Sequence, residues 1–239
     1  MLTRRRFMEL SCAASSLPLL GACGDGATAS PVEGRLAAEL ESLGFVEVAP
    51  QPLAADYDFN DGYRYDEYPM NRAGARSFVV QSCRRVEDAD SPRLLALPLF
   101  HMVVWDTSPQ IGAESSTRIF LDLLLGTLGL DPRHVAAVTA DDFVSPLSIL
   151  EEAGIGRDQT FVRSASEARR TGDGSGWFGP RDYPGPTFPT VSLHYSREAP
   201  TAGRVTGYPL PADMVEIGEI SERGGGMGIE RATWAAAPA

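Results

Sequence analysis

The chain has no lysine. All 21 of its basic residues are arginine, which excludes a lysine Schiff base, a lysine nucleophile and a phosphate-loop lysine. Cysteine is almost as scarce, with Cys12, Cys23 and Cys83 the only three. If Cys23 is modified, Cys83 is the one free thiol of the mature chain and no internal disulfide framework can form. The histidines are His101, His134 and His194, far apart in sequence and without zinc-ligand spacing. Positive charge is short as well: the formal net charge is −11. Such a chain has no electrostatic footprint for nucleic acid beyond a local arginine patch. No apolar run reaches the length of a membrane span, and no internal repeat or long low-complexity segment occurs. What is present is ordinary for a globular chain, at 239 residues and 43% hydrophobic. That is one domain, or one domain with an insertion.

The first residues are unlike the rest. "TRRRFM", Thr3 to Met8, resembles a twin-arginine export motif, and the moderately apolar "SCAASSLPLL" follows it. "LGAC", Leu20 to Cys23, resembles a lipobox with Cys23 as lipid acceptor. In this order they imply a signal peptide over 1–22 and a small, polar tether over 23–32. The expectation is an exported lipoprotein anchored to the membrane at Cys23. The alternative is an arginine-rich first helix in a cytoplasmic protein.

Further along, Leu36, Ala37, Leu40 and Leu43 recur at helical spacing before Gly44, which predicts an amphipathic helix. "FVEV" alternates as a short strand, and residues 50–76 read as irregular. Strands are expected at 77–83, 97–105, 134–140, 160–163, 188–195 and 213–220, and helices at 115–130 and 146–156. Residues 164–186 are rich in glycine and proline and read as loop. A last helix begins near Met227, after the glycines of "ERGGGMGIER". Strands 77–83 and 97–105 pair naturally across their connection, so the fold class expected is α+β, an antiparallel sheet flanked by helices.

The order of these segments resembles the catalytic core of class II aminoacyl-tRNA synthetases, and within it the alanyl-tRNA synthetase type. "LESLGFVEVAPQPLAADYD" is similar to that family's first helix and strand, and "QSCRR", Gln81 to Arg85, looks like the start of its motif 2. Leu128 to Arg163 is similar to its inserted α/β segment, placed here at about 126–176 of a core spanning 33–239. "GPTFPTVSLHY", Gly185 to Tyr195, is similar to its paired Gly-Pro stretch, and "GMGIER", Gly226 to Arg231, to motif 3. The resemblance implies ATP bound on the sheet, with Arg85 at the α-phosphate and Arg231 at the γ-phosphate. It also implies Mg²⁺, room for the nucleotide at Gly226 and Gly228, and Glu216 beside substrate or Mg²⁺. An arginine fork suits both phosphate roles. The implied reaction is activation of an amino acid or related carboxylate to an adenylate. Cores of this class usually dimerise, so a homodimer is possible.

Other readings of the same residues stand beside these. Arg85 suits a strand-end ion pair with Glu87 or Asp88, Arg231 a pair with Glu219 or Glu222, and Glu216 a solvated strand position. His101 and His194 read as satisfied sheet histidines, Cys83 as a buried small residue, and Trp105 and Trp177 as core. The sequence also departs from the family. Gly224 stands where the family has the aspartate that binds the substrate amino group, and Ser192 where it has a glutamate. The tRNA-recognition and editing parts have no counterpart after motif 3, so tRNA is not expected as a partner without help. The competing reading is an exported pseudo-enzyme that binds a small ligand or partner without catalysis.

If Cys23 is the lipid acceptor, mass spectrometry of chain recovered from membranes finds an acylated Cys23 at its N-terminus. Cys23→Ala then leaves an unprocessed chain. An intact, unmodified N-terminus on soluble wild-type chain would refute the reading.

Overall fold

Ser30 opens the first helix. Its hydroxyl accepts from the Glu33 amide at 3.1 Å, and the Glu33 carboxylate reaches back to the Ser30 amide at 3.4 Å. With Pro31 in the first turn, this is a complete start signal. Helix α1 runs Pro31–Ser42 and buries Val32, Leu36 and Leu40, so the expected tether gives way to helix two residues early. The computed structural model describes residues 30–50, 59–60, 76–85, 93–107, 111–179 and 187–238. The export signal, Cys23 and most of the connection after "QSCRR" lie outside these residues, as does the Arg85 side chain.

Eleven strands and four further helices follow among the described residues. The strands are β1 Val46–Glu47, β2 Phe59–Asn60, β3 Arg76–Arg85, β4 Leu99–Thr107, β5 Val135–Ala140, β6 Thr160–Arg163, β7 Trp177–Phe178, β8 Phe188–Pro189, β9 Val191–Ser196, β10 Met214–Ile220 and β11 Gly224–Gly228. The helices are α2 Ala113–Leu121, α3 Leu147–Glu152, α4 Ala165–Thr171 and α5 Ile229–Ala236. The main sheet has the order β1-β3-β4-β11-β10-β9-β5-β6, with β2 added on β3. From β3 through β5 every neighbour is antiparallel, while β1 lies parallel to β3 and β6 parallel to β5. The fold is therefore α+β, a largely antiparallel sheet flanked by helices, with one parallel strand at each border. The segment expected as an α/β insertion joins this sheet through β5.

Apart from the two-residue strands β2 and β7, which fall in stretches read as irregular and as loop, three elements differ from the sequence expectation. The helix expected over 115–130 is α2 continued by a π-helical stretch, Asp122–Thr127. Phe120, Leu121, Leu123 and Leu124 are all buried, a wider apolar arc than a 3.6-residue stripe presents. Helix α4 forms inside the stretch read as loop. Asp141 accepts from the Ala165 amide at 3.0 Å, Ala165 and Ala168 pack with Trp177 and Ala140, and Gly172 at φ +58° ends it. The third is β11: glycines that read as a turn into a helix form a strand, and α5 begins only at Ile229.

Packing explains β11. A Cβ on Gly224 would lie 2.0 Å from the Trp105 carbonyl oxygen, and one on Gly218 would lie 2.1 Å from that of Gly226. Gly225 is similarly closed in by the Glu219 carbonyl at 2.7 Å. These glycines let β4, β11 and β10 approach more closely than side chains would permit. Below them Phe78, Val103, Trp105, Leu193, Ile217 and Met227 face Leu36, Leu40, Phe120, Leu123, Leu124 and Ala232 across one core. Trp105 and Phe120 meet at 5.4 Å between ring centres. Cys83 is buried in the sheet, as expected. Among the described residues no helix is long and apolar enough to cross a membrane.

Gly224→Ala and Gly218→Ala are each expected to destabilise the fold by about 3 kcal/mol or more, read as a fall in the urea midpoint. Gly34→Ala, with nothing within 4 Å of its Cβ and a helical setting, should stabilise by about 0.5–1 kcal/mol. Equal effects at all three positions would overturn this account of β11.

Candidate functional site

Strand β9 shows how the sheet divides its faces. Val191, Leu193 and Tyr195 belong to the helix-covered core. Ser192, His194 and Ser196 alternate with them and point to the opposite face, yet they are buried too. Two of these three polar residues are satisfied. Ser192 Oγ accepts from the Gly176 amide at 3.0 Å, and Ser196 Oγ donates to Asp213 at 2.6 Å. His194 is only 6% exposed, and neither ring nitrogen has a hydrogen bond of good geometry, the Met214 backbone on β10 being a polar influence on the ring. The expectation of a fully satisfied sheet histidine is therefore not met at His194. It failed because a histidine's partners depend on the neighbouring strand, which sequence does not show.

That neighbour is β10. Its pairing with β9 slips between Glu216 and Gly218, and Glu216 lies directly across from His194. Such a bulge re-aims side chains locally. Glu216 Oε1 is buried without a partner. Its Oε2 lies 3.7 Å from Arg231 Nη1. Arg231 also donates to the Leu95 carbonyl at 3.3 Å and to the Glu216 carbonyl at 3.4 Å. Its guanidinium sits 5.8 Å from the Phe100 ring centre. Arg231 thus meets Glu216. A buried donor or acceptor left unmatched costs on the order of 1–3 kcal/mol. The face holding His194 and Glu216 therefore carries a standing penalty that a ligand could relieve.

The other candidates are spread over the fold. Gly228 is close to Arg231, whose Cδ would lie 3.6 Å from a Cβ there. A Cβ on Gly226 would lie 3.0 Å from Met102 Cε and 3.5 Å from Val104 Cγ2, so the bare glycine is buried against these two apolar side chains. Arg85 ends β3 opposite Phe59. His101 is half exposed, and its Nδ1 lies 2.8 Å from Glu230. It lies in β4 and is satisfied there, as expected, by this contact to Glu230 of α5. Trp105 is core, and Trp177 fills a satellite cluster with the α4 alanines.

A wall that the sequence did not signal stands beside the site. Arg163 is buried and donates to Asp173 at 2.8 and 3.1 Å, to the Ser175 carbonyl at 3.0 Å and to Thr171 at 3.0 Å. The Tyr208 ring stacks on its guanidinium at 4.2 Å. Burial pushes the Tyr208 phenol above its usual pKa, with Asp173 and Glu216 adding to the shift. A trace of this region was legible. "VSLHYS" places polar residues at every second position of a strand, which marks one face as polar whether or not it is covered.

Against known proteins, similarity is found among solved structures. The Entamoeba histolytica asparaginyl-tRNA synthetase matches at 12% identity and a TM-score of 0.41, covering 86% of this chain and 62% of that one. The same enzyme in complex with asparaginyl-adenylate matches at 13% and 0.42, with the same shares. Apo S. aureus histidyl-tRNA synthetase matches at 10% and 0.40, over 87% of this chain and 67% of that one. The chain thus spans 62% of the length of the asparaginyl enzyme. No protein-family model matches it, and no curated protein matches it.

Burial pushes His194 below its ordinary pKa of 6.5; Arg231 and Arg93 add to this, while Glu216 and the Met214 backbone oppose it. The unfolded chain therefore takes up a proton near 6.5 that the folded chain refuses. Stability falls as pH drops below that value. Nuclear magnetic resonance should show His194 titrating below 6.5. The loss of stability from about pH 7 to about pH 5 should be shallower in His194→Gln. A titration at or above 6.5 would overturn this.

Proposed function

We propose that this chain activates an amino acid or related carboxylate with ATP, forming an acyl-adenylate in the manner of an alanyl-tRNA synthetase-like core. One observation carries the reading. Glu216 and Arg231 come from separate sequence segments that the resemblance assigned to one site, and they lie 3.7 Å apart on the polar face of an antiparallel sheet. In the reaction a substrate carboxylate oxygen attacks the α-phosphorus of ATP. The bond to the β-phosphate oxygen breaks and pyrophosphate leaves with the negative charge. Arg231 offers a planar fork to the terminal phosphate, and Arg85 would meet the α-phosphate where charge develops.

Among the described residues no three ligating side chains converge on a metal site. Mg²⁺ would therefore arrive on the nucleotide's own phosphates, as this ion commonly does. The reading covers activation only; transfer to tRNA would need a partner. A second reading, an exported pseudo-enzyme holding a ligand without chemistry, is favoured by Gly224. A side chain there collides with the Trp105 carbonyl, so this backbone has no room for the family's amino-group aspartate. A lipid anchor at Cys23 would suit it equally.

Calorimetry of the full chain with ATP and Mg²⁺ should show binding that Arg231→Ala weakens by at least about tenfold. Pyrophosphate exchange with one or more amino acids should follow. A folded wild-type chain that binds no ATP favours the second reading.

A further inference from the structure

The first turn of α5 has no cap of its own. Gly228 precedes it and offers no side chain to the free amides at the helix start. Glu230 of that turn reaches instead to β4. Its carboxylate accepts from the His101 amide at 2.9 and 3.2 Å, and from the His101 ring at Nδ1, 2.8 Å away. Strand β11 ends at Gly228, opposite Met102. The Glu230 carboxylate therefore takes the ladder position that a further β11 residue would fill. Arg231 comes next in sequence. Successive helix residues do not share a face, and these two leave on opposite sides of the sheet. Arg231 turns to the polar face, 5.8 Å from the Phe100 ring centre and 3.7 Å from the Glu216 carboxylate. Glu230 turns to His101, which alternates with Phe100 along β4 and shares the side of Val103 and Trp105. Two consecutive residues of β4 thus meet two consecutive residues of α5.

The contacts of Arg231 to the Leu95 and Glu216 carbonyls are long, at 3.3 and 3.4 Å, so its direction depends on the main chain that carries it. We propose that His101 is a positioning residue for Arg231. By holding Glu230, it fixes the uncapped first turn of α5 against β4 and sets the direction in which the guanidinium leaves that turn. The inference rests on the adenylation reading for what Arg231 meets, and on the contacts alone for how Arg231 is held. The ring of His101 lies on the side of the sheet away from Arg231, so it acts through Glu230 and not on a ligand. The backbone amide at 101 donates to Glu230 whatever side chain stands there. The ring adds a second donor, and two donors set the plane of a carboxylate as well as its place. The Glu230 and His101 side chains are 32% and 51% exposed. A pair this open adds little to stability, so its effect is on orientation. Asparagine carries an N–H as many bonds from the backbone as Nδ1, so His101→Asn keeps the donor that His101→Ala removes.

The test measures binding of ATP with Mg²⁺ to the full chain by calorimetry, for wild type, His101→Ala, His101→Asn, Arg231→Ala and the His101→Ala, Arg231→Ala double variant. His101→Ala should weaken binding at least about fivefold, and His101→Asn by less than about twofold. The urea midpoints of both should stay close to wild type. The double variant should bind no more weakly than Arg231→Ala alone. No loss in His101→Ala would overturn the proposal, and so would an equal loss in His101→Asn or a further loss in the double variant. A large fall in the His101→Ala midpoint would make the contact a structural one and overturn it too. A second readout needs no nucleotide. With arginine labelled at Nε and the Arg231 signal assigned by Arg231→Ala, that signal should move in His101→Ala and stay in His101→Asn. If wild type binds no ATP, the adenylation reading fails and this signal decides: unmoved in His101→Ala, it sinks the positioning role as well. If ATP binding needs Arg231 but His101→Ala costs nothing, the positioning role fails alone.

Discussion

The rest of the structure depends on the close approach of three backbones at the centre of the sheet. Strand β11 lies between β4 and β10, and it fits there because Gly218, Gly224 and Gly225 put nothing between the chains. Glycine is a poor strand former by propensity, since it loses much freedom on ordering and has no side chain to pack. Here tertiary packing outweighs that preference. Trp105 lies beneath Gly225 and meets Phe120 of α2, so the space the glycines vacate becomes the seat of the core's largest side chain.

The same arrangement decides where chemistry can occur. Helices α1, α2 and α5 take the apolar face, and the polar face is left to loops, α4 and the 201–213 segment. Several of its groups are matched to one another: Ser196 and Arg204 with Asp213, Arg163 with Asp173, and Ser192 with the Gly176 amide. Against that surround, His194 and Glu216 Oε1 are left unmatched on adjoining strands. Buried polar groups are nearly always satisfied; the Ser77, Ser116 and Thr190 hydroxyls are further exceptions elsewhere in the fold.

Much of this was legible in the sequence, and the remainder was hidden for physical reasons. Helix α1 and strands β3, β4, β5, β6, β9 and β10 were readable because their apolar periodicity and caps agree with the fold. Helix α4 was hidden because its buried stripe is only Ala165 and Ala168, and glycines follow at once. Strand β11 was hidden because the reason for its glycines lies on other strands. The order of motifs put Arg231 and Glu216 near one site, but their pairing was hidden, since the sequence pointed to Glu219 or Glu222 as the partner of Arg231. The isolation of His194 could not be anticipated, because it follows from a one-residue slip between β9 and β10.

The position of β11 along the chain has a consequence for how the protein is made. Val104 waits for Gly226, a partner synthesised well over half the domain later. Until it arrives, β4 carries an open edge of unpaired amides and carbonyls beside an apolar stretch. Such edges recruit other chains, and pairings this distant in sequence form slowly. A nascent chain is therefore most vulnerable between the emergence of β4 and the arrival of five residues, four of them glycine. Whatever shelters it in that interval must cover a strand edge as well as a greasy surface.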